Sequence, residues 1–368
     1  MLHALVTHLD VLTLLDNSHV ANMMETIDCE VCGGTSTATM FSQYDLTHHV
    51  TDDVFTVVRC SDCRQLFLNP RPTRLEIGKY YPDTYYPDAA PRQAGDFRRA
   101  AKRWSGNIRR WIAQDFYGYP VQGAARSWQW ARRLLLWPEF LWRCWRGRGL
   151  LPWVGRGRVL DVGCGAGGNL ASLQDQGWDV SGVDASAVAV TQAKVRFGNR
   201  VRLGDLESIA YPDRSFDTVL FSHVLEHLHG PLPLLKEVWR VLDQEGRIVI
   251  LCPNAGSLEA KIFGRWWFPW ELPRHLFHYE RATLRRILET AGFRIESIRT
   301  GLGSLYFMAS LDRVCEQRFG RAIPCRRLLE KALIRPLCFC VGHLGYGTEL
   351  KVYARKDASA EQATQSTI

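Results

Sequence analysis

The chain has 368 residues, of which 46% are hydrophobic and 23% charged, and its formal net charge is +8. This composition is that of a globular protein, and the length allows two domains or one large domain with additions. The sequence contains no run of about 18 uncharged apolar residues, the length that a membrane-spanning helix needs. The odd number of cysteines, eleven, does not suit a secreted disulfide framework. We therefore expect a cytoplasmic protein.

The N-terminal part contains two Cys-x-x-Cys pairs, after a stretch over residues 1–27 that we expect to be a flexible extension. Two such pairs can hold one metal ion tetrahedrally through four thiolates, with no position left for a reacting ligand. Disulfides or chance pairing are the alternatives. We predict a structural zinc ribbon, followed by a Tyr- and Pro-rich lid or packing segment, within residues 28–90. The ligands would be Cys29, Cys32, Cys60 and Cys63.

Residues 91–154 concentrate the positive charge. Between Arg98 and Arg158, fourteen Arg or Lys residues stand against Asp115 and Glu139, and eight of the 13 tryptophans of the chain lie here. Paired arginines and spaced tryptophans predict basic amphipathic helices. Three interpretations stay open: peripheral contact with the inner face of the membrane, binding of nucleic acid, or packing on a catalytic domain. We weigh nucleic acid least.

A glycine loop follows the first strong strand signal. Residues 158–168 read Arg-Val-Leu-Asp-Val-Gly-Cys-Gly-Ala-Gly-Gly, and a helical pattern begins at Asn169. A buried strand, a glycine turn and a helix N-terminus form a cradle for a nucleotide, because glycine allows positive φ and close approach of a ligand. The glycine spacing alone also fits a dinucleotide.

Strand and helix patterns alternate from the glycine loop to residue 356, as in a doubly wound parallel sheet. We expect an α/β domain over residues 155–356, a helical insertion at about 304–346, and a disordered tail over 357–368. The predicted strands after the first cover residues 179–184, 201–206, 216–221, 247–251, 293–298 and 349–353.

Three acidic residues indicate which nucleotide is bound. Asp161 stands inside the strand before the loop, where a carboxylate disfavours a pyrophosphate and suits a ligand that bears an amine. Asp184 ends the second strand, at the usual place for a group that binds ribose hydroxyls. Asp205 follows the third strand, where an adenine amino group could lie. These positions favour a cationic, adenosine-containing ligand.

The sequence resembles the class I S-adenosylmethionine-dependent methyltransferases. The resemblance rests on the glycine loop with its later acids, on Ser-His-Val-Leu-Glu-His-Leu at 222–228, and on Pro-Arg-His-Leu-Phe-His-Tyr at 273–279. Together with the paired cysteines, these motifs resemble a bacterial type associated with polysaccharide and cell-envelope biosynthesis. The resemblance implies an α/β fold with a Rossmann-like seven-stranded sheet whose last strand is antiparallel.

The resemblance also implies the residues that bind S-adenosylmethionine. Asp161 and the glycine loop would hold the methionine part, Asp184 would bind the ribose, Asp205 and Leu206 would flank the adenine, and Ser222 and His223 would lie beside the sulfonium. The full set is Asp161, Gly163, Cys164, Gly165, Gly167, Asp184, Ala185, Asp205, Leu206, Ser222 and His223.

Methyl transfer is an in-line displacement in which the protein aligns the acceptor and removes one proton. Histidine suits that proton near neutral pH. We predict His275 as the general base, with His223 as a second catalytic residue; the alternative for His275 is that it ties down its loop by hydrogen bonds. For Glu226 and His227 we expect structural roles rather than a catalytic metal site.

The function that we predict is methylation of a hydroxyl or carbon of a small molecule, with a sugar or lipid-linked glycan as acceptor. Methylation of a quinone, phenol or lipid is the alternative. A second alternative is a zinc-ribbon protein that binds nucleic acid or methylates RNA.

Overall fold

The computed structural model describes residues 24–82, Tyr85, 97–120, 129–145, 150–301, 303–320 and 323–357. The predicted N-terminal extension lies almost wholly outside the described residues. The predicted tail lies outside them except for Asp357, and so do several positions of the Tyr- and Pro-rich segment.

The centre of the fold is a seven-stranded sheet in the order β12-β13-β10-β9-β6-β7-β8. Only β13 is antiparallel to its neighbours, which confirms the predicted Rossmann-like methyltransferase sheet. The fifth predicted strand is longer than expected because it begins directly after the preceding helix. The strands are β6 (Arg158–Val162), β7 (Asp179–Asp184), β8 (Val201–Leu203), β9 (Phe216–Ser222), β10 (Leu242–Pro253), β12 (Phe293–Gly301) and β13 (Glu349–Lys356).

Helices cover both faces of this sheet. On one face of the sheet, a first pair of helices packs through Leu170 and Phe197. On the opposite face, a second pair of helices packs through Leu235 and Ile287. Burial of apolar side chains on both faces explains why the central strands read as continuous apolar runs. The pairs are α3 (Gly168–Gln174) with α4 (Ala187–Phe197), and α6 (Pro231–Val241) with α8 (Arg281–Thr290); α5 (Leu206–Ile209) and α7 (Leu258–Phe263) are shorter.

The N-terminal module is joined to the main domain through a shared sheet. Its strands β2 (Thr37–Gln43), β3 (Phe55–Cys60) and β4 (Leu66–Leu68) are extended by β11 (Phe277–His278), a strand from the predicted methyltransferase domain. The small strands β1 (Met24–Glu25) and β5 (Arg71–Pro72) pair beside this sheet. The predicted zinc-ribbon segment is therefore not a separate sheet.

The Arg- and Trp-rich segment forms two helices, as predicted, α1 (Phe97–Tyr117) and α2 (Gln129–Trp145). These two helices form a hairpin, which is attached to the main domain by a cluster of aromatic side chains. There the indole N–H of Trp178 donates to the hydroxyl of Tyr119 at 2.7 Å, and Trp153 lies against both rings.

Helical material also separates the last two strands, where the insertion was predicted. It comprises α9 (Ser304–Phe319), α10 (Arg326–Leu329), a π-helical turn over Glu330–Ile334 and α11 (Arg335–His343). Within the described residues, none of the helices is both long and apolar enough to cross a membrane.

Candidate active site

Two adjoining cavities open at the carboxyl edge of the sheet. The first has a volume of about 580 Å³ and is lined by Gly163 of the glycine loop and by the ends of the first strands; the predicted binding residues Cys164, Gly165 and Gly167 lie behind this wall. The second, about 210 Å³, lies under the loop that contains His275. Tyr85, His223 and His227 line both cavities. A ligand in the first cavity would therefore face a ligand in the second.

The glycine loop has the conformation that its sequence predicts. Gly163, Gly165 and Gly167 have φ values of 68°, 54° and 85°, which only glycine adopts without strain. A Cβ at Gly163 would lie 2.4 Å from a methyl carbon of Val224, so the loop can only approach the β9 turn without a side chain. Cys164 is buried in the core beneath the loop.

Asp184 ties the end of β7 to the glycine loop. Its carboxylate accepts hydrogen bonds from the backbone N–H of Gly165 and of Ser186, each at 2.8 Å. The side chain lines the first cavity together with the neighbouring Ala185. Asp184 thus lines the cavity and also holds the loop in shape.

Asp161 is fully buried and is not among the residues that line the first cavity. Neither of its carboxylate oxygens has a hydrogen-bond partner. Burial raises the pKa of Asp161 to about 7, although the nearby side chain of Asn169 acts in the opposite direction; the charge of Asp184 adds a smaller upward contribution. An orphaned buried carboxylate beside a glycine loop fits the ammonium end of S-adenosylmethionine, directly or through water.

The far end of the first cavity is lined by Asp205 and Leu206. Asp205 caps α5 by accepting from the backbone N–H of Ser208 at 3.0 Å, and its side chain is half exposed. Hydrogen bonds from Ser208 hold the pKa of Asp205 below its usual value. Ser222 ends β9 and lies outside the lining of the cavity, whereas the next residue, His223, lies within it.

The N-terminal module closes one side of the first cavity. Ile77, Gly78, Tyr81 and Tyr85 belong to the cavity wall, the position that a lid would occupy. The hydroxyl of Tyr81 lies 3.0 Å from Nδ1 of His227. The lid segment therefore touches the residues between the two cavities.

His223 lies between two carboxylates. Its Nδ1 is 3.4 Å from Glu226, and its Nε2 is 3.3 Å from Glu349. Burial alone would lower the pKa of His223, but the two carboxylates outweigh it and raise the value to about 10. An imidazolium cannot accept a further proton, so this charge state suits positioning better than general-base catalysis.

His275 and His227 face each other across the second cavity, with ring centroids 4.6 Å apart. Nδ1 of His275 lies 2.7 Å from the carbonyl oxygen of Pro269, and Nδ1 of His227 lies 3.0 Å from that of Arg274. A carbonyl can only accept, so Nδ1 of His275 carries the hydrogen, and Nε2 of a neutral His275 ring has a free lone pair. Nδ1 of His227 also lies 3.0 Å from the Tyr81 hydroxyl, which can donate to it, so its contacts allow either tautomer. Burial and the nearby His275 lower the pKa of His227 to about 4.

Glu226 completes this cluster. It is 1% exposed, and both carboxylate oxygens lack a hydrogen bond. Although burial opposes ionisation, His223 lowers the pKa of Glu226 below its usual value. One donor atom each of Glu226, His227 and His275 lie within 4.8 Å of one another, a spacing that could also hold a metal ion.

A buried ion pair between Asp45 and Arg274 holds the loop that contains His275, called the histidine loop below. The two side chains are fully buried and bind in bidentate fashion at 2.8 and 3.0 Å. Burial opposes ionisation of Asp45, but Arg274 and backbone N–H groups lower its pKa to about 2. Arg274 also donates to the carbonyl of Tyr80 at 2.8 Å. The partners are 229 residues apart, so no local sequence pattern predicts this contact.

The four cysteines of the predicted zinc site lie together. Their Sγ atoms are within 4.8 Å of one another, with Cys29–Cys63 at 3.4 Å and Cys32–Cys60 at 3.6 Å. Thiolates around zinc at about 2.3 Å would be about 3.8 Å apart in a tetrahedron, so the cluster has the size that zinc requires.

Residues 125–298 match a family model described as a methyltransferase domain. With the seven-stranded sheet, this shows that the chain contains a class I S-adenosylmethionine-dependent methyltransferase domain, for which S-adenosylmethionine is the methyl donor. The four-cysteine module and α1 lie outside the matched residues.

Two curated relatives illustrate the similarity. A protein of Mycolicibacterium smegmatis named "Probable S-adenosylmethionine-dependent methyltransferase" is 32% identical over 142 residues, which cover 38% of this chain and 52% of that protein. The ubiquinone biosynthesis O-methyltransferase of Maricaulis maris is 30% identical over 161 residues, which cover 40% of this chain and 62% of that protein. The chain thus spans about half the length of these relatives.

Among solved structures, a SAM-dependent methyltransferase from Archaeoglobus fulgidus is 24% identical. The similarity covers 61% of this chain and 92% of that one, with a TM-score of 0.39.

Proposed function

We propose that this protein transfers a methyl group from S-adenosylmethionine to a hydroxyl group, or a carbon, of a small molecule bound in the second cavity. The observation that carries the proposal is the junction of the two cavities at His223 and His227. A donor bound in the first cavity would direct its sulfonium toward that junction, where an acceptor could be aligned in line with it.

Each half of the site has its own task. Asp161, Asp184 and Asp205 would hold the amine, the ribose and the adenine of the donor, which supplies a methyl group on a positively charged sulfur. The new bond forms between the acceptor oxygen and the methyl carbon as the carbon–sulfur bond breaks, and its electron pair remains on sulfur. The hydroxyl proton leaves to a base of the protein.

His275 is the base that we propose. Its Nδ1–H is held by Pro269, so the lone pair of Nε2 is available in the second cavity. Glu271 lies 3.6 Å from Nε2 and would stabilise the imidazolium that forms. Of the two predicted catalytic histidines, His275 suits this role better, because the carboxylates beside His223 raise the pKa of His223 to about 10.

The second cavity would admit one ring of an acceptor. Phe268 and Tyr306 offer aromatic faces, and Glu271 offers a carboxylate. A sugar hydroxyl, free or on a lipid-linked glycan, is our first candidate, supported by the envelope-type motifs of the sequence. A phenol or quinol is the second, supported by relatives such as the O-methyltransferase from Maricaulis maris.

The test is transfer from S-adenosylmethionine with a labelled methyl group to three kinds of acceptor: nucleotide sugars and lipid-linked sugars, catechol-type phenols, and RNA. We expect label in a sugar. Label in the phenols alone would select the second candidate, and label in RNA alone would refute a small-molecule acceptor.

We also propose that the four cysteines bind one structural zinc ion. Metal analysis of the purified protein should give one zinc per chain, and the Cys60→Ser variant should lose it. Retention of zinc by that variant would refute the four-thiolate assignment.

A further inference from the structure

The outer face of α2 is apolar and exposed. Trp130, Leu134, Leu135, Trp137 and Leu141 are each between 48 and 79% exposed. At 100° per residue they fall within an arc of about 160° on one side of the helix. The acidic and basic residues of α2 lie outside this arc. An uncharged exposed stripe of this size is unusual on a monomeric soluble domain.

The hairpin presents this face on a fixed support. On the opposite side of α2, Arg132 binds the buried Asp115 in bidentate fashion at 2.6 and 2.7 Å. Phe140 stacks on Phe116 of α1 with centroids 4.3 Å apart. These contacts lie on the side of α2 that faces away from Trp130, Leu134, Leu135 and Leu141. Trp137, at the edge of the stripe, lies against Phe116 with ring centroids 5.9 Å apart, and half of its surface stays exposed.

The net charge of the surrounding segment indicates what kind of surface the stripe would bind. Asp115 and Glu139, the acidic residues between Arg98 and Arg158, are both paired inside the hairpin, with Arg132 and Arg143. The segment therefore keeps an excess of twelve positive charges, counted as fourteen cations minus two anions. A second copy docked through this face would bring two such segments together and would be repelled. An anionic surface would be attracted.

We propose that the stripe Trp130–Leu141 of α2 docks the protein on an anionic lipid surface. The indole rings and leucines would enter the interface between headgroups and acyl chains, and the excess positive charge of the segment would attract the anionic headgroups. Docking itself does not depend on the acceptor. Its use in delivering a lipid-borne acceptor to the second cavity rests on the proposed function.

The test is cosedimentation of the full-length protein with phosphatidylcholine vesicles, with and without phosphatidylglycerol. We expect binding to the anionic vesicles that falls as salt is added. The variant Leu134→Ser/Leu141→Ser should bind at least about tenfold more weakly, because two apolar side chains no longer enter the interface. The matched control is Val188→Ser/Val195→Ser, which has the same spacing on the exposed side of α4.

Two readouts separate this proposal from the proposed function. Methyl transfer to a water-soluble acceptor should be unchanged in both double variants, since neither pair lines the cavities. Absent vesicle binding, equal binding to neutral and anionic vesicles, or equal loss in the control pair would overturn the docking surface. A dimer that the α2 variant converts to a monomer, with vesicle binding intact, would overturn it as well.

Discussion

The two halves of the site are built in different ways. The core of the cofactor half is local: the glycine loop, Asp161 and Asp184 lie within 30 residues of one another in the sequence, and distant segments such as the lid only complete its wall. The acceptor half is assembled from segments that include Asp45, the lid, the β9 turn and the histidine loop. A local half can be recognised from a motif, whereas an assembled half depends on the packing of the whole chain.

The difference also appears in the charges. The cofactor half contains carboxylates that a cationic ligand could neutralise, among them Asp161, which is buried without a hydrogen-bond partner for its oxygens. In the acceptor half, the charges of His223 and Arg274 are already compensated within the protein. The comparison predicts that variants in one half change donor binding and variants in the other change transfer.

The largest effect is expected for His275→Asn. The asparagine amide can keep the hydrogen bond to the carbonyl of Pro269 but cannot accept the proton at the position of Nε2. Loss of a general base typically lowers the rate by about 10²–10⁴-fold. Single-turnover transfer rates of His275→Asn and His275→Ala would be compared. If the asparagine variant were active and the alanine variant not, His275 would only tie down its loop.

Asp45→Asn should be the most destabilising change outside the main sheet. It removes the bidentate partner of the buried Arg274 and leaves Glu271, 3.3 Å from Nε, as the remaining carboxylate; breaking such a buried pair costs about 3–5 kcal/mol of unfolding free energy. Chemical denaturation would measure the loss, with the exposed Asp52→Asn in the same loop as control. A change below about 1 kcal/mol would show that the ion pair does not hold the two regions together.

Asp184→Ala should weaken donor binding and leave the fold intact. Removal of a charged hydrogen-bond acceptor from a binding site costs about 1.5–3 kcal/mol, or about 10- to 150-fold in affinity. Calorimetry with S-adenosylhomocysteine would measure it, against the exposed Asp175→Ala. Unchanged affinity would remove the ribose assignment.

The smallest effect concerns pH. The pKa of Asp161 is raised to about 7 in the absence of ligand, so the carboxyl group must lose a proton before it can pair with an ammonium. Donor affinity should therefore fall about tenfold per unit as the pH drops below 7, and fall again at high pH where the amine of the donor, with a pKa of about 8, loses its proton. Asp161→Asn should bind more weakly at high pH, with a flatter profile. Parallel profiles for both proteins would exclude Asp161 as the amine partner.

Much of the fold and of the cofactor half was predictable from the sequence. Strand and helix periodicity identified the sheet, and the spacing of Gly163, Asp184 and Asp205 indicated the first cavity. The Cys-x-x-Cys pairs predicted a cluster that the fold brings together. These signals are local, because one turn or one strand end creates each of them.

The acceptor half was predictable only in fragments. The sequence singled out His275, but not that Asp45 anchors its loop through Arg274, nor that β11 leaves the main domain to extend the N-terminal sheet. The ion-paired state of His223 depends on Glu349, 126 residues away, which no local pattern records.

The most direct test of the separation between the halves is to measure donor affinity and transfer rate in the same two variants. Calorimetry and single-turnover transfer at saturating S-adenosylmethionine would be applied to Asp184→Ala and His275→Asn. We expect Asp184→Ala to lose affinity and to recover much of its rate at saturation, and His275→Asn to lose rate with unchanged affinity. Loss of donor affinity in His275→Asn, matching its loss of rate, would contradict the account.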